Sequence, residues 1–162
     1  MIRPAHADDF AAIHTMNEGA VPDVSSITLE ELLTLAKQCC YFVVALVDGE
    51  RAGFFMALRP GQAYQSLNYR WFSERYESFI YIDRIVVSPA YKGRGIGRAL
   101  YDDVEKFAAG TVPVLTCEVN LVPPNPDSIA FHKKLGFAEA GQQNTEGGTK
   151  RVSLMVKALP TE

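Results

Sequence analysis

"IVVSPAYKGRGIGRALYDDVEKFA", residues 85–108, is the stretch on which the fold turns. It opens on a β-branched run that ends at Pro89, passes through Gly93, Gly95 and Gly97, and continues with Ile96, Leu100, Val104 and Phe107 at helical spacing. Gly110 supplies the stop. The order is therefore strand, glycine loop, helix. Glycine lets a backbone pass close to a ligand, successive N–H groups can converge on an anion, and the start of a helix adds partial positive charge. Lys92, Arg94 and Arg98 flank the loop. The chemistry implied is a phosphate or pyrophosphate site. The loop lacks the Gly-Lys-Ser/Thr of a Walker motif and the parallel β-α-β setting of a dinucleotide fingerprint.

Upstream of this stretch, residues 2–4 read as a short strand and "HADDFAAIHTMN" as a helix with acids in its first turn. "SITLEELLTLAKQ" carries Thr28 and Glu31 at capping-box spacing before an amphipathic run. "YFVVALV" and "RAGFFMALR" are strands joined at Asp48-Gly49, a hairpin signal. Residues 60–77 read as a long connection before the strand "FIYIDRIVV". Downstream come a strand, "VPVLTCEVNL", a short helix, "PDSIAFHKKLG", and two strands, "GFAEAG" and "RVSLMVKAL", paired across the Gly-rich segment 141–149. This order predicts an α/β (α+β) domain spanning 1–162. Its central sheet is mixed and largely antiparallel, with about seven strands flanked by about four helices.

Composition narrows the partners. Lys plus Arg number 16 against 19 Asp plus Glu, a net charge of −3, which argues against a general nucleic-acid or anionic-membrane binder. No apolar run approaches membrane-spanning length, and the first residues lack the apolar core of a signal peptide. Cys39, Cys40 and Cys117 fit no metal-ligand spacing, so the expectation is a reduced, cytoplasmic chain without a metal site.

Two motifs together carry a resemblance. "IVVSPAYKGRGIGRALYDDVEKFA" resembles the acyl-CoA-binding motif of the GCN5-related N-acetyltransferase (GNAT) superfamily, with Lys92 where the family has Arg or Gln. "NPDSIAFHKKLGF", residues 125–137, is similar to the family's second signature. The resemblance implies a GNAT fold and acetyl-CoA as co-substrate. It places the backbone of Ile85, Val86 and Val87 along the pantetheine arm. It puts Lys92, Gly93, Arg94, Gly95, Ile96, Gly97 and Arg98 around the pyrophosphate, and Asn125 at a cofactor contact. From the residue alone, Asn125 also reads as a helix N-cap ahead of Pro126. The donor for the oxyanion of acyl transfer would be the N–H near Val86.

Attack on a thioester needs an amine with a free lone pair, so a group must take its proton. Glu118 matches a position where many members place that base, and Asp83 matches another. Both also read as solvated strand carboxylates. The longer "LVPP" connection stretches the spacing from Glu118 to Asn125. His132 stands where many members have a tyrosine that protonates the leaving thiolate. A tyrosine, with pKa about 10, stays protonated at neutral pH, whereas a histidine near about 6.5 is mostly neutral and can give one N–H. A packing role for His132 carries equal weight.

Tyr64, Tyr69, Trp71 and Phe72, in the aromatic segment 60–79, read as a wall of the acceptor site, with a local packing cluster or a dimer contact as the alternative. Segments 18–27 and 141–149 would supply the opposite wall. The resulting expectation is an acetyl-CoA-dependent N-acetyltransferase acting on a primary amine, a small molecule, by direct attack in a ternary complex. Use of another acyl-CoA is one alternative and a non-catalytic acyl-CoA sensor is another. A homodimer is a family-level expectation.

Overall fold

The computed structural model describes residues 1–160, so the last two positions of the expected 1–162 domain lie outside the described residues. The strands are β1 (Ile2–Pro4), β2 (Tyr41–Val47), β3 (Glu50–Leu58), β4 (Ile80–Val87), β5 (Val114–Val122), β6 (Ala138–Thr145) and β7 (Lys150–Ala158). The helices are α1 (Phe10–Gly19), α2 (Leu29–Gln38), α3 (Leu67–Ser73), α4 (Ile96–Ala108) and α5 (Pro126–Leu135). The sheet order is β1-β2-β3-β4-β5-β7-β6. Antiparallel pairs join β1–β2, β2–β3, β5–β7 and β6–β7, while β4 and β5 run parallel. Seven strands and the mixed sheet match the sequence expectation.

Two local expectations change. A fifth helix, α3, occupies part of the connection expected over 60–77. Ser66 caps it by accepting from the Tyr69 N–H at 3.2 Å. Its aromatic residues are weak helix formers, and burial of Tyr69 and Phe72 supplies what propensity does not. The segment 141–149 is also less loose than expected, because β6 extends through Thr145. That half of β6 has no apolar alternation to read. Polar side chains hold it to β7 instead: Arg151 donates to Gln142 Oε1 at 2.8 Å and to Asn144 Oδ1 at 3.0 Å.

The chain forms two compact units. The first comprises Met1–Leu58 and Arg84–Phe107. Its core includes Ile13, Leu32, Val44, Phe54, Leu100 and Val104, all fully buried. Thr28 and Glu31 close the expected capping box at the start of α2. The acids ahead of α1 do more than favour a helix start. Asp9 is fully buried and accepts from Arg3 at 2.7 and 3.0 Å, from Arg51 at 2.8 Å and from the His6 N–H at 2.7 Å. These bonds to the ionised form, Arg3 first, hold the carboxyl well below the usual carboxylate range against the opposing cost of burial. Their stabilisation is present above the unfolded carboxyl's pKa and is lost as the pH falls through the folded one.

In the same unit the buried Arg84 guanidinium donates to Asn17 Oδ1 at 2.9 Å and to the Ser25 carbonyl and hydroxyl, both at 3.1 Å. Glu18 completes the tie, accepting from Asn17 Nδ2 at 2.9 Å and from the Ile27 N–H at 3.2 Å. The segment between α1 and α2 is thereby anchored at residues 25–27, while Val21, Pro22 and Asp23 remain exposed.

The second unit comprises Arg59–Asp83 and the chain from Ala108 onward. Phe72, Phe79, Ile80, Leu115, Leu154 and Met155 are fully buried in it. The Trp71 indole lies against Gly141, and a Cβ built there would come within 2.6 Å of its ring. On the indole, Arg75 stacks at 3.9 Å, and nearby the Gln143 side chain donates to Asn68 Oδ1 at 2.8 Å. Gly141→Ala must displace a ring that is held in place. The expected loss is about 2 kcal/mol, or roughly 4–8 °C in Tm by calorimetry, with no change in acetyl-CoA binding.

Among the described residues, no helix is long and apolar enough to cross a membrane.

Candidate active site

The β4–β5 ladder is short. Ile80 pairs with Leu115 and Tyr81 with Thr116, and the pairing stops there. The next residues, Ile82 and Asp83 on β4 and Cys117 and Glu118 on β5, therefore take no part in that ladder. Successive residues of a strand face opposite sides, so Tyr81 and Asp83 share one face of β4, and Thr116 and Glu118 share one face of β5. The Tyr81 hydroxyl donates to Glu118 Oε1 at 2.6 Å. The Tyr64 hydroxyl donates to Asp83 Oδ1. Both predicted carboxylates are half-buried, and each accepts a phenol hydrogen bond. Cys117, on the opposite face from Glu118, is buried.

Tyr81 was not singled out in the sequence, where it reads as one more apolar strand residue. The signal that could have found it is its i, i+2 relation to Asp83. Its side chain is 1% exposed. Burial, then the charges of Glu118 and Asp83, push the phenol's ionisation well above the ordinary tyrosine value. It is therefore a permanent donor at any pH near neutrality.

The aromatic segment needs a correction. Phe72 is fully buried and Tyr69 is 4% exposed, so neither forms an exposed wall. Their rings pack on Tyr81, with centroids 6.0 and 5.5 Å away. Tyr69 also donates its hydroxyl to the Arg59 carbonyl at 2.6 Å and accepts from the Gln62 N–H at 3.0 Å. Trp71 is committed to Gly141 and Arg75. Among the four predicted rings, Tyr64 meets a candidate catalytic carboxylate, donating its hydroxyl to Asp83. The sequence marked the aromatic density correctly but could not tell a wall from the packing behind it.

The glycine loop lies in the first unit. Gly93 and Gly95 have φ of +79° and +77°, the left-handed region that L side chains rarely adopt, and open space lies where a Cβ would project. Helix α4 begins at Ile96, and its first bond runs from the Ala99 N–H to the Gly95 carbonyl at 3.0 Å. The N–H groups of the first turn ahead of that bond have no intrahelical partner by helix geometry. Lys92, Arg94 and Arg98 are exposed, and Arg94 lies over the Tyr91 ring at 5.4 Å. This local geometry suits a pyrophosphate: glycines in the required conformation, room for close approach, a helix start and three cations. Just before the loop, Val86 is buried, whereas Ile85 and Val87 are half-buried.

Asn125 caps α5, its Oδ1 accepting from the Ser128 N–H at 3.4 Å, and Pro126 follows as the first helical residue. Asn125 also lines a cavity of about 340 Å³ with Asn120, Leu121, Ile129 and Lys133. His132 is 4% exposed, with its ring edge-on to Phe131 and Phe137 at 5.4 Å each. Its Nδ1 lies 2.8 Å from the Ser128 carbonyl, an acceptor, so this nitrogen carries the hydrogen. Burial lowers the ring's pKa from the ordinary histidine value, against a smaller upward pull from that carbonyl. The neutral ring, protonated on Nδ1, has no second N–H to offer a leaving sulfur.

The chain thus combines a mixed seven-stranded sheet, a shortened parallel pair and a glycine loop ahead of a helix. The chain belongs to the acetyltransferase (GNAT) family, whose model matches residues 7–137. It is similar in structure to Ard1 from Thermoplasma volcanium, with a TM-score of 0.81 at 18% identity, covering 98% of this chain and 97% of that one. It is also similar to Chaetomium thermophilum Naa20 in complex with a bisubstrate analogue, with a TM-score of 0.79 at 20% identity and coverage of 98% and 86%. A third likeness is to the ribosomal-protein-S18-alanine N-acetyltransferase from Escherichia coli, with a TM-score of 0.73 at 20% identity and coverage of 100% and 95%. No curated protein sequence matches.

Proposed function

We propose that this chain, working as one domain, moves the acetyl group of acetyl-CoA to a primary amine by direct attack, with Glu118 taking the amine's proton. The observation that carries the reading is the Glu118 carboxylate held by Tyr81 just past the end of the β4–β5 ladder. The amine lone pair forms the new C–N bond, the C–S bond breaks with its electron pair on sulfur, and solvent returns a proton to the thiolate. Main-chain groups of Ile85, Val86 and Val87 bind the pantetheine arm. The loop from Lys92 to Arg98 holds the pyrophosphate, and Asn125 adds a cofactor contact. Asp83, engaged by Tyr64, is the second carboxylate of the site and the alternative base.

His132 acts in packing. Under this reading His132→Gln, which keeps a side-chain N–H, is expected to retain thiol release within about threefold at pH 7. A hundredfold loss with acetyl-CoA affinity unchanged would return the histidine to the role of acid.

The acceptor proposed is a small molecule, consistent with a short and mildly acidic chain. A protein amine is the second reading, favoured by the likeness to an enzyme named for an alanine of ribosomal protein S18. A cytoplasmic location is proposed from the odd number of cysteines in no metal-ligand spacing, and a homodimer is compatible with the family. The test is CoA thiol release from acetyl-, propionyl- and succinyl-CoA with polyamines, amino acids, aminoglycosides and alanine-initiated peptides. Release with one amine class names the acceptor. Binding of acetyl-CoA without release across the panel would count against the reading.

A further inference from the structure

We infer that Tyr81 is the positioning residue of Glu118, holding its carboxylate in one orientation and setting the pH at which it takes a proton. The inference rests on the reading of Glu118 as the base.

The geometry leaves the phenol no other place. Tyr81 and Thr116 are ladder partners, and Glu118 lies two residues beyond Thr116 on the same face. The Tyr81 ring is 1% exposed and packs against Tyr69 and Phe72. Thr116 adds a further tie between the strands, its hydroxyl donating to the Ile80 carbonyl at 3.3 Å. The hydroxyl is thus aimed at Glu118 Oε1 by a side chain that cannot swing out without opening the core. The other phenol differs. Tyr64 belongs to the segment ahead of α3 and is only half-buried, so its bond to Asp83 is not backed by a ladder.

Several elements of this unit bring titratable groups toward Glu118 among the described residues. From β4 there are Tyr81 and Asp83, and from the segment 59–73 there are Tyr64 and Tyr69. β7 presents Leu154 as register partner, with Val152 and Val156 on the same face. On α5, His132 is turned to the Ser128 carbonyl, and Lys133 and Lys134 are exposed. A negative Asp83 raises the proton affinity of Glu118, whereas a donor to the carboxylate lowers it. Tyr81 opposes Asp83. Because its own ionisation is pushed up by burial, it keeps donating wherever Glu118 is charged.

The experiment is a 13C NMR titration of the Glu118 side-chain carboxyl, assigned with Glu118→Gln, in the wild-type chain and in Tyr81→Phe. Phenylalanine keeps the ring packing and removes the donor. The Glu118 midpoint is expected to rise by about one pH unit, a tenfold gain in proton affinity. The acid limb of the kcat profile should move with it, and the KM for acetyl-CoA should stay constant. Replacing Tyr81 by 3-fluorotyrosine, a stronger donor of nearly the same shape, is expected to shift the midpoint the other way and guards against misfolding of the phenylalanine variant. Tyr64→Phe, which breaks the bond to Asp83, is expected to leave the Glu118 midpoint within about a third of a unit. An unchanged Glu118 midpoint in both Tyr81 variants would overturn the inference and make the tyrosine a packing residue. A shifted midpoint with full turnover by Glu118→Gln would sink the base assignment and leave the pairing standing.

Discussion

Glu118→Gln is expected to lower kcat for amine acetylation by roughly a hundred- to a thousandfold while acetyl-CoA affinity changes less than about twofold. The amide keeps the size of the carboxylate and can still accept from the Tyr81 hydroxyl, so the packing around Tyr69 and Phe72 has no reason to change. What it loses is the ability to take a proton. A protonated amine then has no partner to give its proton to, and the rate should depend on the small fraction of amine already neutral in solution. The variant should therefore speed up as the pH rises toward the acceptor's own pKa. Pre-steady-state thiol release, read from pH 6 to 9, separates the two cases. A variant with the wild-type rate and the wild-type pH profile would move the base to Asp83.

Gly95→Val should act chiefly on the binding of the other substrate. Gly95 holds φ at +77°, and the left-handed region costs an L residue about 1–2 kcal/mol, more for a β-branched one. Nothing in the chain itself obstructs the new side chain, since the space beyond the missing Cβ is open. The damage falls on whatever approaches the loop. The expected result is a rise of at least about tenfold in the Kd for acetyl-CoA by calorimetry, with a modest Tm loss. Unaltered acetyl-CoA binding would show that the loop is a turn without a ligand. Gly93, at φ +79° with the same open space where a Cβ would project, should answer in the same way.

Much of the fold was legible because several signals agreed at the same place. Thr28 and Glu31 announced α2, Asp48-Gly49 announced the β2–β3 turn, and the glycine loop announced α4. Helix α3 was hidden because its residues are poor helix formers whose order comes from burying Tyr69 and Phe72. The far half of β6 was hidden because its partners are polar and its register is fixed by β7. For the candidate site the sequence offered residues but not the bonds between them. Glu118 and Asp83 are named from the family resemblance, since the strands alone read them as solvated carboxylates. That each meets a tyrosine could not be read there, since Tyr64 lies 19 residues from Asp83 and Tyr81 lies 37 from Glu118. His132 stood out in the sequence for what it replaces, and the Ser128 carbonyl decides where its proton sits.

Asp83 and Arg84 are neighbours of opposite charge on one strand, and consecutive residues of a strand face opposite sides. Arg84 is buried on Asn17 and Ser25, while Asp83 meets Tyr64. A slip of β4 by one position during folding would exchange their faces. The guanidinium would lose its three acceptors, an aspartate would enter its place, and Glu118 would find an isoleucine where its phenol should be. Each neighbouring alignment is thus penalised at several points at once. The residues around the candidate carboxylates also act as a proofreading device for the assembly of β4.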